Sequence, residues 1–95
     1  MKKRYVIVRT YSAGVFAGYL ESRKCQEVKL SNARRLWYWS GAASISQLAV
    51  DGTKEPNKCK FPCEVKSVEL LQAIEILDVS DAAKKSIESV PGWTV

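Results

Sequence analysis

From Tyr5 to Leu30 the chain is a succession of short β-type runs broken by turn residues, which restricts it to short antiparallel strands. Tyr5 to Thr10 alternates and is rich in β-branched residues. Ser12-Ala13-Gly14 supplies a tight turn. Val15 to Ser22 is a second strand, and Gly18 in its middle predicts a bend or bulge. Arg23-Lys24 forms a polar tip, and Cys25 to Leu30 returns as a third strand. After a turn at Ser31-Asn32, Ala33 to Ser40 reads as a fourth strand. Val65 to Val79 reads as one long strand or two short ones. Two helices complete the set. One starts at Ser44 in a Ser-x-x-Gln capping box and stops at Asp51-Gly52. The other runs from Asp81 to about Ser89 with Ser80 as its cap. The expected fold is a single domain over 1–95, α+β and mainly β. It is a small bent antiparallel sheet or barrel of five to six strands with two short helices.

The fourth run carries the chemistry. "ARRLWYWSGAASISQ", residues 33–47, holds two arginines, two tryptophans and a tyrosine before a glycine break and a helix start. Strand alternation would place Arg35, Trp37 and Trp39 on one face and Arg34, Leu36 and Tyr38 on the other. Charge is concentrated in the same half. Residues 1–50 hold nine Lys/Arg and two Asp/Glu, a balance of +7, and residues 51–95 hold six and eight, a balance of −2, together the net +5. A basic, aromatic surface suits anionic partners with flat rings, because arginine forks bind phosphate and indoles stack on bases. The expected ligand-binding set is Arg35, Trp37 and Trp39 with the helix start at Ser44, Ser46 and Gln47. Arg34 is its weaker member, and Arg9 and Tyr11 join only if the first and fourth strands are neighbours. The competing reading makes Trp37 and Trp39 core or interface residues, with solvated arginines and a Ser44–Gln47 pair that merely caps its helix.

Other chemistries are poorly supported. The chain has three cysteines and no histidine. Cys59 and Cys63 are spaced C-x3-C, but zinc needs four ligands and too few are present. Without histidine there is no Ser-His or Cys-His dyad, and Glu64, Glu69 and Glu75 are separated along strands. No phosphate-binding glycine motif occurs. The expectation is therefore no catalytic residue, no cofactor and no metal. The basic start, "MKKRYVIVR", has an apolar run of only Tyr5–Val8, far short of a signal core or membrane span. A reducing cytosol and no membrane partner are expected.

The blocks "RTYSAGVFAG" and "ARRLWYWSGA", with "CKFPCEV" and "SIESVPGWTV", resemble a family of small phage and prophage proteins of unassigned function. More weakly, the chain looks like the phage proteins that sequester cyclic nucleotide or cyclic ADP-ribose immune signals, of the Thoeris anti-defence kind. That resemblance implies a non-enzymatic homo-oligomer in the infected host's cytoplasm, binding a small anionic nucleotide ligand between subunits. It transfers no ligand residue to this sequence. Two other functions fit the same residues. One is a single-stranded nucleic-acid-binding module. The other is an inhibitor of a host protein, with Trp37, Trp39 and Trp93 as interface anchors.

Overall fold

β1 (Tyr5–Thr10) and β2 (Val15–Lys24) form the first hairpin, and β2 continues through a two-residue tip into β3 (Glu27–Arg35). In the computed structural model, which describes residues 3–93, α1 (Ile45–Asp51), a 3-10 turn (Pro56–Lys58), β4 (Val65–Leu70), β5 (Ala73–Asp78) and α2 (Asp81–Ser89) follow. The five strands make one antiparallel sheet in the order β4-β3-β2-β1-β5. Its edge strands do not pair with each other, so the bent-sheet expectation holds and the closed barrel does not.

The sheet has two apolar faces because each strand alternates. Tyr5, Ile7, Ala17 and Leu36 pack under α1, α2 and the 59–61 segment, through Leu48, Phe61 and Ile87. Val6, Val8, Phe16, Leu30 and Leu70 fill the other face. Every buried member of that second cluster comes from a strand, so the sheet curls over itself to cover it.

Bulges produce the curl. Ala17 pairs with Arg34 and Tyr19 with Ser31, so Gly18 alone opposes both Asn32 and Ala33. A Cβ on Gly18 would lie 3.0 Å from the Ser31 carbonyl oxygen and 3.1 Å from the Ala33 Cα, which is why this position carries none. A second shift falls between Leu20 and Ser22, where Glu21 is the surplus residue. Such bulges bend the strand and increase its twist. They also explain the first departure from expectation. Ser31-Asn32 is not a turn, because Asn32 takes a left-handed φ of 47° inside a continuous strand. The predicted third and fourth strands are one, and it ends at Arg35. Cys25, expected to open the third strand, sits in the hairpin tip with φ 53°.

The helices start where their caps predict. Ser44 Oγ accepts the Gln47 N–H at 3.2 Å, and Ser80 Oγ accepts the Ala83 N–H at 3.1 Å. Gly52 ends α1 with φ 75°, and a Cβ there would collide with the Ser86 side chain of α2. Ser86 Oγ ties the two helices, accepting from Thr53 N–H and donating to its carbonyl. Gly52→Ala is expected to lower unfolding free energy by about 1–3 kcal/mol through backbone strain, with the α2 clash adding to it. Gly92→Ala, whose added Cβ meets nothing within 4 Å, is the control. Equal denaturation midpoints for the two variants would contradict this account.

Candidate functional site

Arg34 and Arg35 are adjacent in sequence and opposite in role. Arg34 points under the helices and is only 6% exposed. All five guanidinium N–H groups are engaged, and every acceptor is a backbone carbonyl. Nε donates to Pro62, Nη1 to Ile87 and Val90, and Nη2 to Phe61 and Pro91, at 2.8 to 3.4 Å. Burial draws the guanidinium below its ordinary proton affinity. The carbonyls at the end of α2, the negative pole of its dipole, offset the missing carboxylate. Arg34 therefore has no N–H left for a phosphate, and the expectation that it binds ligand is corrected. Arg35 faces the other side of the sheet, exposed, with its guanidinium carbon 4.6 Å from the Phe16 ring centroid.

Beyond Arg35 the chain leaves the sheet, and strand alternation stops governing its side chains. Leu36 remains anchored. Its N–H donates to the Val15 carbonyl at 2.7 Å and its side chain is buried. Tyr38 forms a bridge with Lys60 through two backbone hydrogen bonds, of 3.2 and 2.7 Å. Phe61 in turn bridges Gly92, and Trp93 N–H donates to the Phe61 carbonyl at 2.9 Å. These pairings bring three distant segments together. Trp37 stacks on Trp93 with centroids 5.0 Å apart and planes 12° from parallel. The Lys60 ammonium lies 5.5 Å from one ring and 5.6 Å from the other. Those three distances make a nearly equilateral triangle, so Lys60 sits abreast of the stack and covers neither outer face. Trp37 is 58% exposed, Tyr38 50% and Trp93 39%. Lys60 makes no ion pair among the described residues.

The remaining expected residues do not join this stack. Trp39 is half-buried against the core with Ala42 and Ile45, which follows the core reading of that residue. Gln47 is occupied by the cap, since its Oε1 accepts the Ala43 N–H at 2.7 Å. Ser44 and Ser46 are exposed on a helix of seven residues. Arg9 and Tyr11 do not neighbour the aromatic segment, because β2 lies between β1 and β3. Arg9 is paired instead with Glu75, at 3.1 Å, and Tyr11 is exposed. Of the two spaced cysteines, Cys59 is buried and its sulfur accepts the Ser40 N–H, whereas Cys63 is exposed.

One comparison places the chain. A family described as a domain of unknown function (DUF6948) matches residues 3–87. The chain belongs to this family. No curated protein and no solved structure matches it. The DUF6948 match spans Arg34, Trp37 and Lys60 but ends before Trp93, so half of the stack lies beyond it. Lys60 was missed in the sequence, where the prolines at 56 and 62 suggest irregular loop alone. The signal was the alternation from Lys58 to Phe61, with lysines exposed and Cys59 and Phe61 buried.

The two arginines of this DUF6948 domain are expected to separate in a stability measurement. Arg34→Met leaves several buried carbonyls without donors and is expected to cost about 3 kcal/mol or more. Arg35→Ala removes an exposed side chain and is expected to stay within about 1 kcal/mol of the parent. Urea denaturation of both variants checks the difference.

Proposed function

We propose that the protein is a non-enzymatic binding module for single-stranded nucleic acid, with bases stacking on the Trp37–Trp93 pair. The observation that carries this reading is the exposed stack itself, with Lys60 abreast of it and its outer ring faces free of that cation. Arg35 lies two residues before Trp37, and neither it nor Lys60 has an ion-pair partner among the described residues. The net charge of +5 adds a general attraction for phosphates.

Magnitude decides between a polynucleotide and a free nucleotide. Stacking on an open aromatic face is worth about 1–3 kcal/mol per base. One base held so weakly stays short of the roughly 4 kcal/mol that corresponds to millimolar affinity. A strand adds further bases and phosphates on the same surface, whereas a lone nucleotide needs walls. A second copy seated over the stack would supply them. Sequestration of a small anionic nucleotide signal by a homo-oligomer, the anti-defence role implied by resemblance, depends on that arrangement.

Tryptophan fluorescence titrated with a ten-nucleotide oligothymidylate tests the proposal. Quenching is expected, with affinity falling as salt rises because neutralised phosphates release counterions. Trp37→Ala is expected to weaken binding by about tenfold or more. Lys60→Ala is expected to reduce the log–log salt slope by about one. Salt-independent binding would count against the nucleic-acid reading. Stoichiometric retention of an intact cyclic nucleotide by an oligomer would replace it with sequestration, and a cleaved product would make the protein an enzyme.

A further inference from the structure

The open seam of the sheet lies apart from the tryptophan stack and shares no lining residue with it. β5 is an edge strand, and its register fixes where its backbone groups point. Val79 N–H donates to the Tyr5 carbonyl at 3.2 Å. Antiparallel pairs alternate between bonded and non-bonded. Leu77 and Glu75 therefore bond β1, opposite Ile7 and Arg9, while Ile76 and Asp78 turn their N–H and C=O groups to the open edge. On the other side of β1 the count agrees, because Leu20 N–H donates to the Arg4 carbonyl at 2.8 Å.

The distal part of the β2–β3 hairpin faces this edge. Its tip meets β5 where Ala73 N–H donates to the Gln26 carbonyl at 3.0 Å. Beyond that contact the walls are separated by a groove of about 660 Å³. Leu20, Ile74 and Ile76 give it an apolar lining, and Arg4 and Arg23 stand along it. Ile74 is 48% exposed. The carboxylates nearby are already engaged, Asp78 with Arg4 and Glu75 with Arg9. Arg23 has no ion-pair partner among the described residues.

We propose that this groove binds an extended, acidic peptide segment of a partner protein, which adds as a strand along β5. Its backbone pairs with Ile76 and Asp78, alternate apolar side chains rest on Leu20 and Ile76, and a carboxylate meets Arg23. Strand addition of this kind takes affinity from the main chain and specificity from alternate side chains. The edge offers donors and acceptors in turn at strand spacing, which a peptide complements and a phosphate backbone, carrying acceptors alone, does not. A second copy of this sheet is disfavoured because the hairpin tip at Gln26 obstructs the Ala73 end of β5, where a single strand passes more easily.

Amide spectra of the full ¹⁵N-labelled chain, titrated with a blocked octapeptide of alternating valine and glutamate, test this. A matched valine–lysine octapeptide is the comparison. The acidic peptide is expected to shift the Ile76 and Asp78 amides and slow their hydrogen exchange. Arg23→Glu, an exposed substitution, is expected to weaken it by about tenfold through like-charge opposition. Lys66→Glu on β4 is expected to leave affinity unchanged. Equal binding of the two peptides, or none at millimolar concentration, would overturn the proposal. So would shifts confined to the Trp37 and Trp93 indoles, oligothymidylate moving the same β5 amides, or peptide-free broadening of those amides as protein concentration rises.

Discussion

The buried guanidinium of Arg34 is the contact on which the rest of the molecule depends. It takes a full charge out of water without a carboxylate, which costs several kcal/mol unless every donor is used. Five carbonyls meet that requirement, and they come from two segments remote in sequence, 61–62 and 87–91. A carboxylate would have satisfied the charge from one residue. Carbonyl coordination instead draws in stretches of main chain and fixes their path. Phe61 and Pro91 are held against β3, so Lys60, next to Phe61, and Trp93, two residues after Pro91 and bonded to the Phe61 carbonyl, are held beside Trp37. The exposed surface is thus positioned by a residue that takes no part in it.

The cations of the chain fall into distinct groups. Lys3, Arg4, Arg9 and Lys58 are each paired with a carboxylate at the surface. Such pairs are worth little in stability, but they leave less local positive field. Arg35 and Lys60 stand against aromatic rings instead. Lys84 does the same at the other end of the sheet, over the edge-packed Tyr5–Tyr19 pair. Arg23 belongs to neither group, since it is exposed with no ion pair or aromatic ring against it among the described residues.

The legible parts of this fold are those set by local chemistry. β1, β2, the strand character of 65–79 and both capped helices follow from alternation, turn residues and Ser caps, while the sequence left one strand or two open there and the structure has two, β4 and β5. What escaped was set by distant partners. Ser31-Asn32 carries the composition of a turn, and only pairing with β2 makes it a bulge. Trp37 and Trp39 share one parity, yet one stacks on a residue fifty-six positions later and the other packs into the core. Alternation needs a ladder to enforce it, and the ladder ends at Arg35. Arg34 looked like half of a basic pair because its five acceptors are backbone groups, which no side-chain pattern announces.

The bulge at Glu21 has a consequence for how this sheet tolerates change in length. Glu21 is supernumerary in its ladder, so deleting it would leave each neighbouring β2–β3 pair in its present register, whereas Asn32 falls between the Ser31–Ser67 and Ala33–Val65 pairs and keeps β3 in step with β4. The side chains of both apolar clusters would keep their faces. What would alter is the bend of the β2–β3 hairpin, and with it how far the tip at Gln26 reaches toward β5. Curvature here is therefore separable from core identity. Loss of the single codon for Glu21 would retune the width of the seam while the hydrophobic sequence stayed the same.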